Sequence, residues 1–286
     1  MTRVVVLTWA VVGCGAAAGR VTTAPEIVAA RTEAIEGGAA LFAERGLEGA
    51  FVVRRADDGS PYRTIGGARI DQRFVPASTF KVPNTLIGLE TGVIGDATFA
   101  LQWDGREREI AAWNRDHDLR SAIRESVVWF YQEVARRVGS ARMREHVTAL
   151  HFGNAEIGGE DVIDRFWLEG PLAISPREQI DFLARLTRGE LPISARSVAI
   201  LRDVIASEAH GDATLRWKTG THPVREGEPG HAWLVGWVER EGEVTAHFAL
   251  ILLADTDDEL GARMGERRDL VIELLARERL IGPPGA

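Results

Sequence analysis

Strand-like apolar runs stand near both ends of this chain, and a long helix-patterned stretch separates them. Residues 50–54 and 62–65 read as two strands joined by an Asp57-Asp58-Gly59 hairpin turn. Strand character returns at 215–218, continues through 232–238, turns at Arg240-Glu241-Gly242 and resumes over 244–253. From about residue 79 to 206 the pattern is mostly helical, broken by Gly92, Gly95, Gly105, Gly153, Gly158-Gly159 and Pro171. Strands at both ends with helices between them imply an α+β fold: a central antiparallel sheet built from the two termini, flanked by helices, with an inserted helical lobe. Two more helices are expected. One covers residues 24–46 and buries Ile27, Ile35, Leu41 and Phe42; the other runs from about 265 to 279 with Leu270, Leu274 and Leu275 on one face. A site at the seam of sheet and lobe would draw residues from distant parts of the chain.

With 286 residues, 45% of them hydrophobic and 27% charged, the chain can bury one sizeable core, as a single domain over residues 24–286. Its formal charge of −8 argues against nucleic acid or an anionic membrane as partner, since both need a basic surface. Residues 1–18 read as a leader: Arg3 is a minimal basic start, and the apolar core of residues 4–12 is too short to span a bilayer. Ala16-Ala17-Ala18 suits an ordinary signal peptidase and predicts a periplasmic or secreted protein. Val11-Val12-Gly13-Cys14 resembles a bacterial lipobox and predicts a lipid anchor on Cys14, while a buried N-terminal strand with an inert cysteine is the plainest alternative. Cys14 is the one cysteine, which excludes an intrachain disulfide and a cysteine metal site. None of the seven histidines is spaced as a zinc pair.

The chemistry-bearing stretch is Pro76-Ala77-Ser78-Thr79-Phe80-Lys81-Val82-Pro83, at what reads as the opening of a helix. Residues i and i+3 share a helix face, so Ser78 and Lys81 point into one site. A serine hydroxyl needs a base to take its proton, and a lysine can be that base only if it is desolvated or chemically modified. Helix amides near Ser78 also favour negative charge. By itself Ser-x-x-Lys is common on solvated helices. Ser126-Val127-Val128 opens another helix, where Ser126 reads most simply as an N-cap. Lys218-Thr219-Gly220-Thr221 ends a strand, and Lys218 alone would be an edge lysine before a turn. Phe152-Gly153-Asn154 and Phe166-Trp167-Leu168 would be a turn and a core tryptophan.

Taken in this order, Ser78-Thr79-Phe80-Lys81, Ser126-Val127-Val128, Phe152-Gly153-Asn154, Trp167 and Lys218-Thr219-Gly220 resemble the class D, or oxacillinase-type, serine β-lactamases of the penicilloyl-serine transferase superfamily. The similarity extends through Gln102-Trp103-Asp104-Gly105, Trp113-Asn114-Arg115-Asp116 and residues 166–172, and covers roughly residues 27–282. Ser-Val-Val replaces the Ser-Asp-Asn of class A enzymes and the asparagine of most transpeptidases. No acidic loop resembles the class A deacylating glutamate, and Glu169 falls where the class D pattern expects structure.

The resemblance implies a β-lactamase/transpeptidase-like fold and hydrolysis of β-lactams through an acyl-enzyme on Ser78. It implies that carbon dioxide or bicarbonate carboxylates Lys81 to N6-carboxylysine, the general base for acylation and deacylation, with no metal. An apolar pocket must depress the lysine pKa for that, and Phe80, Val128, Trp167 and Leu168 are the candidates, the Trp167 indole donating to the carbamate. Ser126 would relay a proton between Lys218 and the lactam nitrogen, and amides of Ser78 and Thr221 would form the oxyanion hole. Lys218, Thr219, Gly220, Thr221 and an arginine would bind the substrate carboxylate. Counting back from the C-terminal helix, Arg267 fits best, with Arg263 and Arg268 as alternatives. Phe152 stands where many members carry tyrosine, and Trp129 sits at another variable position. Monomer and homodimer are both compatible with such folds, and the motifs do not carry substrate range. Two rival functions share the acylation motifs. A β-lactam sensor domain would need transmembrane helices, which the sequence does not show; a cell-wall peptidase is disfavoured by the second motif.

Overall fold

The computed structural model describes residues 31–57 and 59–282. The leader with both of its processing sites, residues 24–30 of the expected first helix and Asp58 lie outside that range.

Apolar side chains on both faces make the long strands a buried sheet, since successive residues point to opposite sides. The chain runs β1 (Thr32–Ala34), α1 (Gly38–Glu44), β2 (Gly49–Arg55) and β3 (Tyr62–Ile65), then α2 (Lys81–Glu90), β4 (Ala100–Leu101) and β5 (His117–Asp118). Five helices follow: α3 (Leu119–Arg124), α4 (Val128–Val138), α5 (Ser140–Ala149), α6 (Pro176–Thr187) and α7 (Ala195–Val204). The chain closes with β6 (Ala206–His210), β7 (Ala213–His222), β8 (Gly230–Arg240), β9 (Glu243–Ala254) and α8 (Asp257–Arg277). Seven strands form one sheet in the order β1-β3-β2-β9-β8-β7-β6. The two ends of the sequence meet where β2 pairs antiparallel with β9, Phe51 opposite Leu250.

Strand alternation sorts the core into two layers. Phe51, Val53, Leu234, Phe248 and Leu250 pack with Leu270, Leu274 and Leu275 of α8 and with Leu41 and Phe42 of α1. Ala50, Val52, Trp233, Val235, Trp237 and Ile251, on the opposite face, join the helical lobe through Leu86, Ile87, Phe130 and Val134. Reciprocal caps fix two helix starts in that lobe: Asp118 with Ser121 for α3, and Ser175 with Glu178 for α6, which also has Pro176 in its first turn.

Four expectations need correction. Residues 31–46 are not one helix. Ile35 N–H bonds Thr64 O at 2.9 Å beside β1, and Gly37, at φ 69°, turns the chain into a seven-residue α1. Ile35, Leu41 and Phe42 are nonetheless buried. The sheet is antiparallel except at its edge, where β1 pairs parallel with β3. The last helix starts at Asp257, not near 265. Thr256 caps it by accepting the Glu259 N–H, and Asp257, Asp258 and Glu259 occupy the positive end of the helix dipole. The helical region ends at Val204, because Ala206–His210 pairs with β7 as an edge strand.

Candidate active site

The short helical turn Ala77–Phe80 feeds straight into α2. Ala77, at φ 48°, holds a left-handed conformation that a residue with a Cβ rarely adopts, and it sets the turn that presents Ser78. Thr79 locks that turn. Its Oγ1 donates to Pro76 O at 2.8 Å and accepts from Gln179 Nε2 of α6 at 2.9 Å.

Ser78 is half-buried, whereas Lys81, one turn on, is fully buried. Lys81 Nζ donates to Ser78 Oγ at 2.6 Å and stands 5.5 Å from the centroid of the buried Tyr131 ring. Burial, aided by the nearby Lys218 charge, holds the Lys81 amine well below the usual lysine range.

Ser126 lies between α3 and α4 with φ 57°, and Val127, not Ser126, occupies the N-cap of α4. The hydroxyl is therefore free of a capping role. It accepts from Lys218 Nζ of β7 at 2.9 Å, and the same ammonium donates to Thr219 O at 2.9 Å. Lys218 is buried, and desolvation, with a smaller contribution from the Arg267 charge, lowers its pKa to about 7.

Beyond Lys218, β7 comes so close to the Ser78 turn that only glycine fits at 220. A Cβ there would lie 2.9 Å from Pro76 O and 3.2 Å from Thr79 N. Arg267 of α8 donates to Gly220 O at 3.2 Å and to Thr221 Oγ1 at 3.1 Å, and burial pulls its pKa down to about 10. The two alternatives are engaged elsewhere: Arg263 bonds Glu266 and Gly46 O, and Arg268 pairs with Glu208. Arg267 makes no ion pair among the described residues, which leaves its guanidinium available to an incoming anion.

Phe80 stacks on Trp167 with centroids 5.5 Å apart and meets Phe166 and Phe152 edge-on. Trp167 Nε1 is buried and has no hydrogen-bond partner among the described residues. Leu168 is half-buried and Val128 opens α4, also half-buried. Phe152 is a core residue packed between Phe80 and Phe182. Asn154 ties its loop to the next one, its amide accepting from Ala173 N and donating to Pro171 O. Sequence reasoning passed over Ala77, Tyr131 and His222. A positive φ at alanine has no compositional signal, and the other two matter through side-chain placement from separate elements. No cluster of three or more metal-ligating side chains occurs among the described residues, nor does any helix there have the length and apolarity to cross a membrane.

The chain is similar to known proteins over most of its length. The penicillin binding protein transpeptidase domain family matches residues 50–264. β-Lactamase OXA-48 of Klebsiella pneumoniae is 44% identical over 213 residues, which is 74% of this chain and 77% of that protein. The crystal structure of the class D β-lactamase YbXI from Nostoc superposes with a TM-score of 0.75 at 38% identity, covering 82% of this chain and 96% of the other. A class D β-lactamase structure from Sebaldella termitidis gives a TM-score of 0.81 at 30% identity, covering 88% and 99%. The chain belongs to the class D serine β-lactamases, within the penicillin-binding transpeptidase fold.

Proposed function

We propose that the protein hydrolyses β-lactam antibiotics through an acyl-enzyme on Ser78. One observation carries this: two buried lysine amines sit against two serine hydroxyls, Lys81 at 2.6 Å from Ser78 Oγ and Lys218 at 2.9 Å from Ser126 Oγ. A lysine serves as a base only when its surroundings keep it neutral, and burial does so here.

Ser78 Oγ attacks the lactam carbonyl while its proton is taken up at the Lys81 position. Backbone amides of Ser78 and Thr221 meet the charge developing on the carbonyl oxygen. As the C–N bond breaks, the ring nitrogen takes the Ser126 proton, and Lys218 resupplies it. Arg267 and Thr221, with Thr219 and Gly220 along the same strand edge, receive the substrate carboxylate; a guanidinium matches it bidentately.

The pocket fits a carboxylated Lys81. A neutral amine adds to carbon dioxide and releases a proton, and the unpartnered Trp167 N–H offers the product a donor within an apolar wall of Phe80, Val128 and Leu168. When present, the carbamate supplies one general base for both acylation and deacylation. The function suits a periplasmic or secreted protein, free or lipid-anchored at Cys14, acting as monomer or homodimer without a metal.

Intact-mass measurement after adding a penicillin in bicarbonate buffer, with absorbance of the lactam ring followed in parallel, tests the proposal. A transient single adduct with complete ring consumption is expected. A stoichiometric adduct that persists would mark a sensor or transpeptidase, and neither adduct nor turnover would overturn the assignment.

A further inference from the structure

Two histidines stand directly opposite each other at the ends of β7 and β8, where His222 pairs with His231. Their rings stack with centroids 5.0 Å apart and planes 19° from parallel, and both are buried. Each points one nitrogen at a backbone carbonyl of a loop that builds the site. His222 Nδ1 lies 3.0 Å from Leu168 O, next to Trp167, and His231 Nε2 lies 2.8 Å from Val75 O, three residues before Ser78. A carbonyl can only accept, so the protonated nitrogen is Nδ1 in His222 and Nε2 in His231. Burial depresses both pKa values, His231 to about 4, so each imidazole is neutral and has a single N–H to give.

Val75 O is held twice, because Trp233 Nε1 donates to it at 3.0 Å as well. Leu168 O has no second anchor. Among the described residues, the His222 contact is the only hydrogen bond joining residues 162–172 to the seven-stranded sheet. The Trp167 indole belongs to that segment and is otherwise placed by stacking on Phe80.

We infer that His222, buttressed by His231, is a positioning residue for Trp167, fixing the loop so that the indole N–H faces the Lys81 carbamate. The inference rests on the carbamate proposed above. Without the tether the loop can shift by fractions of an ångström while the core still packs, and such a displacement weakens a directional hydrogen bond more than it weakens stacking.

Two substitutions separate the tether from the ring. His222→Phe keeps a ring to stack on His231 but has no donor. His222→Asn loses the ring but keeps an N–H at the position of Nδ1. Activity is measured against bicarbonate concentration, and ¹³C NMR after ¹³C-bicarbonate labelling reports carbamate occupancy, with thermal unfolding as the control for fold. The expected result is a half-saturating bicarbonate concentration raised roughly five- to tenfold in His222→Phe, the loss of one buried hydrogen bond. Its carbamate signal should be weaker at low bicarbonate, and His222→Asn should stay within about twofold of the parent. If His222→Phe does not fold, His222→Ala replaces it in the same comparison. A dependence in the parent with unchanged midpoints in the donor-less variants overturns the positioning role and leaves the carbamate standing. A parent enzyme with neither bicarbonate dependence nor a carbamate signal overturns both.

Discussion

Replacing Lys218 by methionine should stabilise the fold while abolishing turnover, and the stabilisation should depend on pH. In the unfolded chain a lysine holds its proton up to about 10.5; at this buried position it does so only to about 7. Each pH unit of difference is worth about 1.4 kcal/mol, so below pH 7 the folded state forgoes about 5 kcal/mol by keeping Lys218 buried. Between pH 7 and 10.5 the unfolded chain binds more protons than the folded one, so parent stability must rise with pH across that window. Methionine fills a similar volume and cannot titrate. It also removes two hydrogen bonds, to Ser126 Oγ and Thr219 O, worth about 1 kcal/mol each. Lys218→Met should therefore be about 2 kcal/mol more stable than the parent at pH 7, and the difference should shift by about 3 kcal/mol towards the parent by pH 10. Urea denaturation of both proteins at a series of pH values measures this, with the burial of Lys81, the larger cause of its own shift, common to both. A difference that stays flat from pH 7 to 10 would refute the reasoning, because it would mean that Lys218 keeps its proton in the folded site.

Three more outcomes follow from the same geometry. Arg267→Ala should raise KM about tenfold or more and lower kcat less, whereas Arg268→Ala, whose guanidinium is held by Glu208, should leave KM unchanged; steady-state kinetics on a penicillin separates them. Lys81→Ala should cut kcat by about 10²–10⁴ and leave any acyl adduct long-lived by mass, while bicarbonate restores a decarboxylated parent preparation. Gly220→Val should lower kcat/KM by at least about tenfold, because its Cβ would press on Pro76 O and Thr79 N and shift the Ser78 turn; an unchanged kcat/KM would mean that the strand edge is not coupled to the nucleophile.

The sheet was legible in the sequence because its central strands bury both faces and so read as long apolar runs, as in Ala232-Trp233-Leu234-Val235. The strands that escaped notice lack that signal. β1 has three residues, and β6 reads Ala-Ser-Glu-Ala-His, so each is a strand only because a neighbour offers it backbone partners. Ser78 and Lys81 were legible because helical spacing alone puts them on one face. Ser126 taken alone reads as a cap, and only the order of the motifs assigns it to the site. Its positive φ and its hydrogen bond to Lys218, 92 residues away, arise from the docking of β7 against the lobe. The same holds for Arg267, which sequence could only rank among three arginines until Glu266 and Glu208 were seen to claim the other two.

Packing and chemistry pull in opposite directions at this seam. An apolar core is at its most stable without polar groups, yet here the amine of Lys81 is fully buried beside Ser78 and Tyr131, and the Trp167 N–H, in the aromatic layer of Phe80, Phe152 and Phe166, has no partner among the described residues. Such groups persist only where the surrounding structure over-determines their positions. Here Gln179 fixes Thr79, Asn154 fixes the 171–173 loop, and the stacked histidines fix Leu168 and Val75. Each anchor comes from a different element. The low pKa of Lys81 is thus a property of the assembled fold, and loosening any one anchor enough to admit water would return the amine towards its ordinary protonated state.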